Sequence, residues 1–185
     1  YKELRELAYM GASVLHEDAI FPVRQAGIPI NIRNTNAPDD DGTMIVESTC
    51  QKPDYTITGI AGKKGFVAVS IDKDMMNSEV GFGRKVLEVL ENHNISFEHL
   101  PSGVDTMTAV LNSKAIQGKL ENVLQAIHDE LKPDTVEFVP DLALLAVVGH
   151  CMAKSAGLAG KIFTALGKEH INIRTIDQGS SEINI

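Results

Sequence analysis

The spacing of apolar residues changes several times along the chain, and each change marks an element. Leu4, Leu7, Ala8, Gly11, Val14 and Leu15 fall near i, i+3, i+4, i+7 spacing, which predicts a helix with one buried face. A second short helix is expected over Asp18 to Ala26, ended by Gly27. Ile28 to Ile32 reads as a short buried strand, Asn34 to Gly42 as a turn-rich loop and Thr43 to Glu47 as another strand. Gln51 to Asp54 reads as a linker, Tyr55 to Ala61 as a strand and Gly62-Lys63-Lys64-Gly65 as a turn. There follow a strand (Phe66–Ile71), a loop (Asp72–Val80), a helix (Gly81–Asn94) and two strands (Ile95–Leu100, Thr106–Leu111). A helix over Ala115–Leu131, with Leu120, Val123, Leu124, Ile127 and Leu131 on one face, and a strand over Thr135–Val139 close the set. This is βαββαβ, the ferredoxin-like sandwich of an antiparallel sheet and two helices.

Most of that pattern returns between Leu142 and Ile185. Gly81 falls on Gly157 and Gly103 on Gly179 at one constant shift, which also lays Met76 on Met152, Lys85 on Lys161, Leu90 on Leu166 and Ile95 on Ile171. A repeat of this length is one supersecondary unit used twice. The expected fold class is therefore α+β, with tandem ferredoxin-like units, the second incomplete. Tyr1 enters in periodic helix without an N-cap residue and Ile185 stops in an alternating strand, so a piece of a longer polypeptide is expected.

Composition narrows the function classes. The formal charge of −8 argues against a nucleic-acid surface, which needs clustered Lys and Arg. No apolar run approaches the roughly 18 residues of a membrane span, and no signal peptide opens the chain. Cys50 and Cys151 make no disulfide framework, which fits a reducing cytoplasm.

One loop carries candidate chemistry. A helix N-terminus offers unpaired N–H groups and a positive dipole end, suited to a carboxylate. Gly81 and Gly83 allow close approach there, Asn77 and Ser78 add donors, and Asp72, Asp74 and Glu98 are expected acceptors for an ammonium. A free amino acid presents both charges. The competing reading is a tight strand-to-helix turn with a solvated acidic loop. Other motifs fail on spacing: Gly81-Phe82-Gly83 lacks the third glycine of a dinucleotide fingerprint, and Gly59-Ile60-Ala61-Gly62-Lys63-Lys64 lacks the hydroxyl of a phosphate loop. Asp39-Asp40-Asp41-Gly42 is too compressed for a calcium loop, and the histidines are scattered, so no metal and no catalytic centre is expected. Met75, Met76 and Met152 read first as packing residues.

These segments resemble one family. YKELRELAYMGASVL (Tyr1–Leu15) and AGIPINIRNTNAPDDDGT (Ala26–Thr43) are similar to the end of the catalytic domain of aspartate kinase. MMNSEVGFGRKVLEVLENHNISFEHLPSGVDT (Met75–Thr106) resembles its first ACT regulatory unit, and LLAVVGHCMAKSAGLAGKIFTALGKEHINIRTIDQGSSEINI (Leu144–Ile185) its second. The resemblance implies an amino-acid-kinase tail over 1–50, a linker over 51–65 whose strand 55–60 joins the second unit, a first ACT domain over 66–140 and an incomplete second over 141–185. It implies a parent enzyme that phosphorylates L-aspartate with MgATP toward lysine, threonine and methionine, with the catalytic residues outside this chain and no cofactor within it.

By the same resemblance, effector binding falls to Met75, Met76, Asn77, Ser78, Gly81, Phe82 and Gly83, completed by Phe97, Glu98, Ser102 and Asp105. A possible second site takes His150, Met152, Asp177 and Gln178, where a packing role is favoured. The implied partners are lysine, with or instead of threonine, and a second copy of the chain paired through the ACT units. The alternative is a dimerisation module with no physiological ligand.

Overall fold

The computed structural model describes residues 1–11, 15–47, 56–149, 152, 155–179 and 182–185. His150, Cys151, Cys50, the expected linker and Tyr55 lie outside them. The chain divides into two compact units, Lys64–Leu144 and Tyr1–Lys63 with Leu145–Ile185. Two long strands, β3 (Ile57–Asp72) and β6 (Thr135–Gly149), contribute a part to each.

In Lys64–Leu144, β3 leads to helix α3 (Phe82–Asn92), β4 (Phe97–His99), β5 (Thr106–Asn112), the short α4 (Ser113–Ile116), α5 (Leu120–Leu131) and β6. The strand order is β4-β5-β3-β6, so the first and third strands of the unit are central, as in a ferredoxin-like sandwich. β3 and β5 pair antiparallel from Phe66 opposite Asn112 to Asp72 opposite Thr106. Alternation puts Val67, Val69 and Ile71 in one cluster with Ala109 and Leu111. Onto them α3 lays Phe82, Val86, Val89 and Leu90, and α5 lays Val123, Ile127 and Leu131, all at helical spacing. Asn112 caps α4 by accepting from the Lys114 N–H at 3.0 Å.

In the other unit, α1 (Lys2–Tyr9) and α2 (Glu17–Gln25) precede an antiparallel pair, β1 (Ile30–Ile32) and β2 (Thr43–Ile45). His16 occupies the N-cap of α2, its Nδ1 accepting from the Asp18 N–H at 3.3 Å. The chain returns as α6 (Leu158–Lys168), β7 (Asp177–Gln178) and β8 (Glu182–Asn184), in the order β3-β6-β8-β7. Val147, Met152, Leu158, Ile162 and Ile183 form the core here. No helix among the described residues is long and apolar enough to cross a membrane.

Four elements differ from the sequence pattern. The expected turn Gly62–Gly65 is strand: of its four residues only Gly65 adopts a positive φ, +95°, and β3 continues through it. The strand expected to stop at Val139 runs on to Gly149. Pro140 and Asp141, at φ +58°, deform it rather than end it. The helix expected over Ala115–Leu131 is two helices parted by Gly118 at φ +74°. Residues 171–176, matched by the repeat to a strand, have no regular structure.

Candidate functional site

β3 ends at Asp72, and the chain reaches α3 through one 3-10 turn, Met76–Ser78. Met75 ahead of the turn takes φ +58° and Gly81 behind it φ +86°. No side chain caps α3. A Cβ on Gly81 would meet nothing within 4 Å, so the space beside the first turn of α3 is open, at the positive end of the helix dipole.

Backbone bonds bring a second segment alongside. The Lys73 N–H donates to the Asp105 carbonyl at 2.8 Å and the Asn77 N–H to the Val104 carbonyl at 3.1 Å. The Asp72 carboxylate, an expected acceptor for an ammonium, accepts from the hydroxyls of Thr106 (2.7 Å) and Thr135 (3.0 Å). The Asp74 N–H donates to the Asp134 carboxylate at 2.7 Å.

Three further charges lie at the base of the loop. Lys73 donates to Glu79 Oε2 at 2.6 Å and Lys85 to Glu79 Oε1 at 2.5 Å. Lys73 also donates to the Leu131 carbonyl at 2.6 Å, where the negative end of α5 favours a cation. The hydrogen bonds from Lys73 and then Lys85 hold the Glu79 carboxyl down at about 2, against an ordinary 4.5. A carboxyl depressed on folding contributes stability that is complete above pH 4.5 and is lost as pH falls toward about 2. Glu79→Gln should therefore lower the urea midpoint at about pH 6 and leave it nearly unchanged at about pH 2. Equal losses at both pH values would show that the charge is not what stabilises.

The structure sorts the expected effector residues. Met75, Asn77, Ser78 and Gly81 lie exposed on the loop, with Ser102 and Asp105 exposed in the adjoining segment. Met76 and Phe82 point inward and belong to the core cluster, so only their backbone can face a ligand. Gly83 is half-buried against the Met107 methyl, which a Cβ would approach to 3.4 Å. Phe97 and Glu98 do not join the loop within one chain: Phe97 pairs with Leu111, at the opposite end of β5 from Thr106.

An ACT-domain model matches residues 145–185. Over its whole length the chain is 41% identical to aspartokinase 3 of Bacillus subtilis, of which it spans 41%. It superposes on the aspartate kinase of Clostridium acetobutylicum with a TM-score of 0.89 at 53% identity, covering 100% of this chain and 43% of that one. The chain belongs with the aspartate kinases, as their C-terminal regulatory part. It also superposes on E. coli aspartokinase III in complex with lysine and aspartate (TM-score 0.71, 25% identity, 98% of this chain and 40% of that one). The chain thus spans about two fifths of the length of each of these three aspartate kinases.

The second ACT unit of this aspartate kinase region presents less. Met152 is buried at 1% exposure in the core, and Asp177 and Gln178 are exposed on β7. Among the described residues no group of three or more His, Cys, Asp or Glu is placed to hold a metal. Sequence reasoning missed Glu79, Lys73 and Lys85. Glu79 lies six positions from each lysine, across a strand end and a loop, and neither helical nor strand periodicity links them.

Proposed function

We propose that this chain is the feedback-sensing region of an aspartate kinase and that the loop between β3 and α3 binds an amino acid, lysine first and threonine second. The observation that carries this reading is the relative of matching fold, E. coli aspartokinase III, in complex with lysine and aspartate. In this chain, the uncapped first turn of α3 and the open space beside Gly81 suit an α-carboxylate. Exposed Asn77, Ser78, Ser102 and Asp105 supply hydrogen-bonding groups around it. Phe97 and Glu98 come to this loop from β4 of a second copy, so the site is complete in a homodimer. The rest of the enzyme phosphorylates the side-chain carboxylate of aspartate with MgATP, in the cytoplasm. An effector that binds the inactive arrangement better shifts it by a coupling of about 1–3 kcal/mol.

A second reading is favoured by exposed apolar side chains: Met75 is 71% exposed, Val80 98% and Val104 64%, around one loop. On that reading the surface pairs two chains and binds no effector. Thermal melting of the chain with lysine, threonine, methionine or S-adenosylmethionine, each at millimolar concentration, separates the two. A ligand at a hundred times its Kd stabilises the folded state by about 2.7 kcal/mol. A selective rise in Tm with lysine or threonine is the expected result. A dimer in sedimentation whose melting ignores all four compounds would leave the pairing role alone.

A further inference from the structure

Glu79 stands where the loop can be held or released. Its carboxylate bridges Lys73, at the end of β3, and Lys85, in the first turn of α3. Lys73 continues the chain of contacts to the Leu131 carbonyl at the end of α5, and its ammonium sits 5.6 Å from the centre of the Phe82 ring. The three side chains are only 23%, 25% and 35% exposed for Lys73, Glu79 and Lys85, so their attraction is less screened than that of a surface pair. The Arg84–Glu88 pair beside them, 68% and 46% exposed, is an ordinary helix-surface pair. Without Glu79, two lysines would face each other at the base of the loop.

The backbone between these anchors is the one that presents Met75, Asn77, Ser78 and Gly81. Within the turn its bonds are short-range, Met76 N–H to Lys73 O, Ser78 N–H to Met75 O and Glu79 N–H to Met76 O, and the Asn77 N–H alone in it reaches outward, to the Val104 carbonyl at 3.1 Å. It also contains the unfavourable left-handed Met75. A three-residue turn with such a residue does not hold itself, because nucleating a single turn fixes many dihedrals for few bonds.

We infer that Glu79, clasped by Lys73 and Lys85, is the positioning residue that orders the 75–81 loop and thereby sets its affinity for an amino-acid effector. The second half of this statement rests on the effector reading above; the first does not. A loop ordered before binding costs less to immobilise, and that difference goes into affinity. The same clasp ties the loop to the end of α5, so loop order and helix position are linked.

The test is Glu79→Gln in the full chain, with amide hydrogen exchange and lysine titration by calorimetry read side by side. The expected result is roughly tenfold faster exchange at Met76, Asn77, Ser78 and Glu79, with the Val123 and Ile127 amides of α5 unchanged. Lysine affinity should fall about tenfold while the ligand-free chain, with the lower urea midpoint expected above, stays folded under the conditions of the titration. Lys85→Met should reproduce part of both effects and add little to Glu79→Gln in the double variant. Loop exchange within twofold of the unsubstituted chain overturns the inference. Faster exchange throughout the core, or faster loop exchange with unchanged lysine affinity, overturns it as well. If the unsubstituted chain binds neither lysine nor threonine, the effector reading falls, and the exchange result alone decides whether Glu79 orders the loop.

Discussion

Replacing Phe82 by alanine should cost the Lys64–Leu144 unit about 4 kcal/mol, the size expected for emptying a buried aromatic site. Phe82 is 3% exposed and belongs to the same core cluster as Ile71, Met76, Val86 and Leu131. Its burial contributes about 1.5–3 kcal/mol of transfer free energy, and the cavity left behind adds the remainder because β3 and α5 cannot close over it. The Lys73 ammonium over the ring loses a further contact of about 0.5–1 kcal/mol. Domains are stable by about 5–15 kcal/mol, so this one change removes a large share. Met75, seven positions earlier on the loop that leads into α3, should behave in the opposite way. Its side chain is 71% exposed and its φ is +58°, so Met75→Gly relieves backbone strain and leaves stability equal or slightly higher. Urea unfolding followed by circular dichroism compares the two. A loss below about 1.5 kcal/mol for Phe82→Ala would mean that the cluster repacks. It follows that a loss of effector binding in Phe82→Ala reports unfolding, whereas the same loss in a folded Ser78→Ala reports the site.

The contrast between Phe82 and Met75 also shows what the sequence could tell. The apolar spacing of Phe82, Val86, Val89 and Leu90 reads directly as a helix face, and the structure puts that face on the sheet. The repeat was legible for a stereochemical reason: Gly81 and Gly157 both hold positive φ, +86° and +81°, at the residue before a helix, where a side chain would be strained. What the pattern hid were decisions taken by partners distant in sequence. Gly62-Lys63-Lys64-Gly65 has the composition of a turn, but in the folded chain it lies within β3, and local propensity yields to pairing. Gly118 stands inside the apolar period expected over Ala115–Leu131, and in the folded chain it lies between two helices. Nothing in the sequence announces that Thr106 and Thr135 arrive at the two oxygens of Asp72. Glu79 was passed over for the same reason. Charged clusters built by tertiary contacts have no period, so they become visible only when the chain is folded.

One methyl group at Gly149 should be nearly as damaging as the loss of the Phe82 ring. An ideal Cβ there would run into the Thr56 carbonyl oxygen and lie 2.9 Å from its carbonyl carbon and 3.0 Å from the Ile57 Cα. All three are backbone atoms, so no rotamer change removes the clash. The start of β3 or the end of β6 must move instead. Gly149 is buried and follows Val147 and Val148, which pair with Ile183 and Glu182 of β8, so displacing the end of β6 disturbs that ladder and the core around Ile183. Overpacking of this kind costs about 1–3 kcal/mol and more where the neighbours are rigid, so a loss of about 3 kcal/mol is expected for Gly149→Ala. Gly160 is the control within the same unit. It lies inside α6, where a Cβ meets nothing within 4 Å, and Gly160→Ala should raise stability by about 0.5–1 kcal/mol through helix propensity. The same chemical change thus carries opposite signs at two positions. Urea midpoints of the two variants settle the matter. A Gly149→Ala chain as stable as the unsubstituted one would mean that the backbone at Thr56 gives way to a Cβ at little cost.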